Sequence, residues 1–454
     1  VHKQHFLFPL SSIALLSFYI PPLIFNPMQH FFIILSLYGI FTLIFGLVSL
    51  LIKERLYISE TVIATLFGIV IGPKGFNILE FEDYPTMLFY LSRMVISLQV
   101  VAVGTIVPKR YVVRQFQSLF ILLVPLLLLT YAISTCLTFW MTDLGLWASM
   151  IVGACVTPTD PVLASSVLKG KFANRYIPTH LRHLLILESG LNDGLGFPLL
   201  TLPIFAMRLP FKKAFNKWLI HTWLYEIFLA VILGLAIGFV AKKLLVISHR
   251  KNFIDKENIL AYLLALAFVV TGITGLLKSD DILASFFCGM IFAWDGEYQD
   301  EIKDSSLYEV LDLMINASFF ILFGASFTSH IRYLPLALLI IFLRRLPLII
   351  AGRPFIPQLF NMREAFFAGW YGPIGVGALF FITHANDCIK LDDELVKIVN
   401  MMVMCSVILH GTTAPIIHVS LRRRKRVDEE MYMTESEYTE VESDFKGESV
   451  MLRE

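Results

Sequence analysis

The sequence predicts an all-α polytopic membrane protein of about thirteen transmembrane helices, built as an inverted repeat with two broken helices that cross. Three observations carry that expectation. The first is composition. Of 454 residues, 57% are hydrophobic and 16% charged, with a mean hydropathy of +0.72, whereas a soluble globular chain carries roughly 25% charged residues. The excess runs along most of the chain, which excludes a soluble enzyme and a disordered scaffold. The second is spacing. Polar breaks leave continuous apolar stretches close to the ~20 residues that cross a bilayer, without the alternation of a membrane barrel. The third is interruption. Two stretches seven spans apart are broken near their middle by proline or glycine, the pattern of paired discontinuous helices in inverted repeats.

Taken in order, residues 1–27 form a hydrophobic extension whose stretch 6–25 lacks a small-residue cleavage site and holds Pro21-Pro22, so it reads as an extra hydrophobic segment rather than a signal peptide. The first residue is Val1, which suggests that the true N-terminus is missing. The membrane domain is expected over 28–420, with spans near 30–52, 57–77, 86–107, 115–141, 144–168, 181–207, 218–247, 258–277, 281–294, 306–329, 333–352, 361–384 and 396–419. The ninth is short for a full crossing. Residues 421–454 form a tail, basic at Arg422-Arg-Arg-Lys-Arg426 and then acidic over 434–454, read as solvated and disordered. Lys and Arg lie mostly on the side of that tail, so the C-terminus is placed in the cytoplasm by the positive-inside rule; the cations from Arg208 to Lys217 are the largest exception. Cations and acids nearly balance, 37 against 36, so nucleic acid is not an expected partner. The five cysteines, Cys136, Cys155, Cys288, Cys388 and Cys405, have neither disulfide nor zinc spacing.

Ionisable residues inside spans are costly, and each is a functional hypothesis. Span five reads Thr157-Pro-Thr-Asp-Pro161. Pro158 and Pro161 each remove a backbone donor. The chain around Asp160 is therefore expected to unwind, with freed carbonyls and the hydroxyls of Thr157 and Thr159 facing the carboxylate. A second reading leaves Asp160 as the cap of a kinked helix. Span six reads Glu188-Ser-Gly-Leu-Asn-Asp193, where Glu188 and Asn192 share one helical face and Ser189 and Asp193 the next. Two acids this deep need partners: a protein cation for one, a proton or a metal ion for the other. Span eleven supplies Arg344 and Arg345 at its middle, and Arg345 is the favoured partner of Glu188, with Arg344 the alternative. Arg93 is either a snorkelling or packing charge or a part of transport. Gly372-Pro-Ile-Gly-Val-Gly377 in span twelve reads as a second interruption or as close helix packing. Asp280-Asp281 and Asp295 read first as helix caps, with a role in ion access as the alternative. The pairs Gly68 with Gly72 and Gly234 with Gly238 read as packing faces. His180, His183 and His221 read as interfacial; His384 and His410 are candidates for sensing pH.

At Thr157-Pro-Thr-Asp-Pro161 together with Glu188-Ser-Gly-Leu-Asn-Asp193 the chain resembles the monovalent cation/proton antiporter superfamily. Leu51-Ile-Lys-Glu-Arg-Leu-Tyr-Ile-Ser-Glu60, Asp280-Asp-Ile-Leu-Ala-Ser-Phe286, Phe292-Ala-Trp-Asp-Gly296, Phe342-Leu-Arg-Arg-Leu-Pro347, Gly372-Pro-Ile-Gly-Val-Gly-Ala378 and the acidic Glu435-Ser-Glu-Tyr-Thr-Glu-Val441 narrow the likeness to the fungal plasma-membrane Na+/H+ antiporters. The resemblance runs from about Met28 to the tail. It implies thirteen helices, an inverted repeat, a homodimer, and a core domain that moves against a dimerisation domain. It implies an ion and proton site at Thr159, Asp160, Ser189 and Asp193, with Asn192 where some relatives carry another acid, and a buried ion pair of Glu188 with Arg345. The short tail departs from the long tails of some fungal relatives and puts tail-based regulation in doubt.

The expectation is thus a multi-pass plasma-membrane antiporter that expels Na+ or Li+, with K+ left open, against inward H+ in alkali-cation and pH homeostasis. Na+ binds transiently at Asp160 and Asp193 in competition with H+. Pro158 is expected to bear on ion selectivity, and Asp280 and Asp281 are auxiliary. No cofactor is implied: no Gly-rich phosphate loop with a following Lys is present, and neither a His/Glu metal motif nor a Ser nucleophile motif suggests an enzyme. The rivals are a proton-coupled carrier of another small solute and an ion channel.

Overall fold

A computed structural model describes residues 27–51, 58–79, 81, 83–106, 111–168, 177–254, 256–294 and 306–421. The extension at 6–25, Asp295 and the basic-acidic tail lie outside the described residues.

Every one of the thirteen predicted stretches holds helix, and no strand occurs among the described residues. The helices are α1 (Pro27–Leu51), α2 (Glu60–Ile71), α3 (Tyr84–Ile106), α4 (Phe116–Met141), α5 (Leu146–Val156), α6 (Pro161–Leu168), α7 (Thr179–Arg208), α8 (Phe211–Arg250), α9 (Lys256–Leu276), α10 (Asp281–Phe292), α11 (Ser306–Ser326), α12 (Leu334–Leu343), α13 (Leu346–Gly352), α14 (Met362–Trp370), α15 (Val376–Ile389) and α16 (Asp393–Leu421). Within α4, Pro125 denies the chain a donor and the turn Leu122–Leu126 widens around it. Among the described residues six helical stretches are by themselves long and apolar enough to cross a membrane, and six shorter apolar helices accompany them. The outer faces of α1, α4 and α8 carry exposed Leu47, Leu128, Trp140, Leu224 and Val240. So wide an apolar surface is suited to hydrocarbon rather than water; this is a multi-pass membrane protein.

The helices form two groups. In one, α10 packs between α3 and α8, and α2 packs on α11. Small residues make both contacts. A methyl group at Gly234 would lie 2.3 Å from the Ala284 carbonyl oxygen of α10, and one at Gly324 would lie 2.1 Å from the Thr65 carbonyl oxygen of α2. Backbones this close leave no room for a side chain, so dispersion contacts rather than the hydrophobic effect join the helices. In the other group α5 is enclosed by α4, α7, α15 and α16. It is apolar all round, and Ile151, Val152, Ala154 and Val156 are fully buried, as that pattern requires. Contacts of α7 with α10 and of α15 with α3 join the groups.

Span eleven is not continuous: α12 ends at Leu343, and α13 starts at Leu346 with Pro347 in its first turn. Proline cannot continue the preceding hydrogen-bond ladder, so the helix breaks where the two arginines stand.

Gly324→Val is expected to destabilise the protein by about 1–3 kcal/mol through overpacking of α2 against α11, read as a lower melting temperature in detergent. Gly272→Ala, with open space around its Cβ, is the control expected to melt as wild type.

Candidate functional site

Two interrupted helices meet at Asp160. Helix α5 stops at Val156, where Pro158 and Pro161 leave no ladder to continue, and α6 restarts at Pro161. Helix α14 stops at Trp370, and α15 restarts at Val376 after the unwound stretch 371–375. The two gaps serve each other. The Asp160 N–H donates to the Pro373 carbonyl at 2.9 Å. Its carboxylate accepts from Val376 N–H at 2.7 Å and Gly377 N–H at 3.4 Å on one oxygen, and from Leu163 N–H at 2.7 Å on the other. Asp160 therefore caps α6 and also sits at the N-terminal end of α15, on the positive ends of two half-helices. The capping and site readings of this residue describe one arrangement.

Thr159 joins the gap to α7. Its hydroxyl bonds Ser189 Oγ at 3.0 Å and accepts from Asn192 Nδ2 at 2.8 Å, while its N–H donates to Asn192 Oδ1 at 3.2 Å. Thr157 does not join them. Its hydroxyl turns back to the Gly153 carbonyl at 2.7 Å, the local bond that threonine commonly makes in a helix. The expectation that it faces Asp160 is not met.

Asp193 is 1% exposed, and neither of its carboxylate oxygens has a hydrogen-bond partner among the described residues. Opposite it lies Gly377, where a methyl group would come within 2.8 Å of Oδ1; a methyl at Gly375 would come within 2.6 Å of Asp160 Cγ. The Gly-x-Gly spacing thus opens room for two carboxylates along one strip of backbone. Pro158 seats its ring against α7 one turn beyond Asn192, where a Cβ at Gly196 would be 2.6 Å from its Cγ.

The arginines divide their work. Arg345 holds Glu188 through two parallel bonds of 2.6 and 2.8 Å, and its Nε donates to the Ala368 carbonyl at 3.1 Å. A planar fork on a carboxylate is the strongest form of such a pair. Arg344, fully buried, donates to the carbonyls of Val156, Thr157 and Gly372. It covers orphan carbonyls at both breaks, the negative ends of α5 and α14. Sequence reading held Arg344 only as the alternative partner of Glu188. The available signal was the count: two adjacent buried cations and one acid between them.

Asp280 and Asp281 lie apart from this crossing. Asp280 caps α10, its Oδ1 accepting from Ile282 and Leu283 N–H at 3.0 Å each. Its Oδ2 has no hydrogen-bond partner among the described residues. Asp281 pairs with Arg93 Nε at 2.5 Å. The same first turn touches α7: a Cβ at Gly194 would lie 2.8 Å from Leu283 Cβ.

The family described as sodium/hydrogen exchanger, transmembrane, matches residues 39–419. A Na+/H+ antiporter of Saccharomyces cerevisiae is 39% identical over 360 residues, which are 75% of this chain and 36% of that protein. Na+/H+ antiporter 2 of Zygosaccharomyces rouxii is 38% identical over 363 residues, 76% of this chain and 45% of that protein. The chain therefore spans less than half the length of these two relatives. Among solved structures, the sodium proton antiporter MjNhaP1 from Methanocaldococcus jannaschii at pH 8 superposes with a TM-score of 0.66 at 19% identity, covering 87% of this chain and all of that one; the likeness is one of fold.

Arg345→Ala would strand Glu188 as a buried, unpaired charge at a cost of about 3–5 kcal/mol. Low yield and a lower melting temperature are expected, with partial recovery when the charges are exchanged as Glu188→Arg with Arg345→Glu. A normal melt from Arg345→Ala would transfer the pairing role to Arg344.

Proposed function

The chain belongs to the sodium/hydrogen exchanger family, and on that premise we propose that it is a secondary antiporter that expels cytoplasmic Na+ against inward H+ by alternating access. Asp193 carries the reading. A buried carboxylate without a donor is satisfied by a proton or by a cation, and the two exclude each other at one pair of oxygens. Asp160 supplies the second carboxylate, fixed by backbone N–H groups, and Thr159 and Ser189 supply neutral oxygens of the kind that hard cations accept. Asn192 orients Thr159 rather than adding charge. The Glu188–Arg345 pair, neutral as a unit, ties α7 to the break in span eleven.

Li+ suits the same oxygens, and K+ is tested beside it. On this reading Asp280, whose helix start touches α7 next to Asp193, draws cations toward the site, and Asp281 is held by Arg93. The same reading makes the protein a plasma-membrane homodimer with its C-terminal end in the cytoplasm, where the bias of Lys and Arg among the loops would put it. Its role would be alkali-cation and pH homeostasis. No cofactor takes part, and a membrane exchanger of this kind is not an enzyme.

The deciding experiment is pH-gradient-driven uptake of Na+, Li+ and K+ by proteoliposomes. Wild type is expected to exchange, and Asp193→Asn to insert and fold but neither exchange ions nor release protons when Na+ is added. Exchange by purified Asp193→Asn would overturn the shared site, and wild type that moves protons only with an organic solute would favour the rival carrier.

Competition also fixes the sign of the pH effect. Lowering the pH protonates the site that Na+ must enter, so the apparent Na+ affinity falls as pH falls, and a titration of initial rates at several pH values checks it.

Pro158 stiffens the stretch that presents Thr159 and Asp160. Pro158→Ser is expected to raise K+ transport relative to Na+; an unchanged ranking of the cations would count against this role.

A further inference from the structure

The unwound stretch 371–375 is gripped from behind by a helix that supplies no oxygen to the proposed site. Ser406 and His410 stand one turn apart on α16, and both are buried. Ser406 Oγ accepts from the Ile374 N–H at 2.7 Å and lies 3.0 Å from His410 Nδ1. On its other edge, His410 Nε2 lies 3.1 Å from the Trp370 carbonyl oxygen. The tautomer follows from these partners. With its proton on Nε2 the imidazole donates to Trp370, and Nδ1 accepts from the Ser406 hydroxyl, whose oxygen accepts from Ile374. With its proton on Nδ1 it would serve the Ser406 carbonyl at 3.1 Å but leave the Nε2 lone pair against a carbonyl oxygen. Only the first choice satisfies every group on the line.

The two backbone groups so held have few other options. The Trp370 carbonyl belongs to the last turn of α14, where the helix has no donor left for it, and its backbone partner is the Gly372 N–H two residues on, at 2.9 Å. The Ile374 N–H lies inside the gap, where no ladder exists. Packing adds to the grip: the imidazole lies 5.6 Å from the Trp370 ring and 6.5 Å from that of Tyr371, and the Trp370 indole N–H donates to Thr413 Oγ1 at 3.2 Å, again on α16. Ile374 also lies between the backbone groups that serve Asp160, Pro373 before it and Val376 and Gly377 after it. Pro373 accepts from the Asp160 N–H, and Val376 donates to the Asp160 carboxylate.

We propose that Ser406 and His410 are positioning residues: together they strap both ends of the unwound stretch, so that Pro373 and Val376 stay on Asp160 and the cation site is preorganised. The strap itself stands on this geometry; what it positions rests on the exchange reading above.

The test uses the full chain as wild type, His410→Ala, His410→Gln, Ser406→Ala and the double Ser406→Ala/His410→Ala variant. Hydrogen exchange of peptides covering 371–377 reads the strap directly. Loss of one buried hydrogen bond is expected to speed that exchange about fivefold in each alanine variant, with helix Leu146–Val156 unchanged. In proteoliposomes the KM for Na+ is expected to rise about fivefold by the same reasoning, while the rate at saturating Na+ stays within about twofold, because the site is loosened and not removed. His410→Gln, whose amide reaches the Trp370 carbonyl from the Nε2 position, is expected to recover much of both effects. The double variant is expected to be no worse than His410→Ala, since the pair acts as one unit.

Unchanged exchange at 371–377, a loosened stretch with an unaltered KM, or fully additive losses would each overturn the proposal. If His410→Ala yields no folded protein, Ser406→Ala, which removes a single oxygen, decides between the same outcomes. Wild type without Na+/H+ exchange would sink the exchange reading alone and leave the strap to be judged by hydrogen exchange.

Discussion

A helix that breaks inside hydrocarbon leaves donors and acceptors that water cannot reach, and each must find a partner within the protein. The rest of this structure depends on how that demand is met at the crossing. The gap after Val156 and the gap after Trp370 are placed so that each serves the other, through the Asp160 N–H on Pro373 and the Asp160 carboxylate on Val376. The carbonyls of Val156, Thr157 and Gly372 fall to Arg344, and the Ile374 N–H and the Trp370 carbonyl of the second gap are held by Ser406 and His410. Neither break could persist alone. Their mutual service explains why a fully buried arginine is tolerated beside a glycine- and proline-rich backbone.

Charge follows the same economy. Glu188 and Arg345 neutralise one another with two bonds, which is the condition for keeping either at this depth. Asp160 has backbone donors. Among the described residues Asp193 alone of the four acids and bases on this line has neither, although it sits one residue from the amide that orients Thr159. The unmet need of this one side chain is the observation on which the proposed site rests.

Much of this was legible in the sequence for simple reasons. Apolar runs of bilayer length mark helices whatever their packing. Pro158, Pro161 and the Gly372–Gly377 run mark breaks because they act on the backbone itself. The cap at Asp280 was readable because an acid stood just ahead of an apolar run. Apart from the charge match of Glu188 with Arg345, partnership across distance could not be read. Asn192 with Thr159, Arg93 with Asp281, and Ser406 with a backbone N–H join residues whose separation carries no periodic signal. Thr157 misled because a threonine hydroxyl in a helix usually has a carbonyl of its own turn to bond. The break at Arg344 and Arg345 was signalled by Pro347, but a continuous apolar run on either side masked it.

The contact between Gly194 and Leu283 has a mechanical meaning. It sits on the seam between the two helix groups, immediately beside the unpartnered carboxylate. Were α7 to slide along α10, Asp193 would be dragged past an aliphatic side chain. A bare anion would resist such a passage by several kcal/mol, whereas a protonated or cation-filled one would not. The seam would then act as an escapement that advances only when loaded, and slippage of the empty carrier would be suppressed without a separate gate.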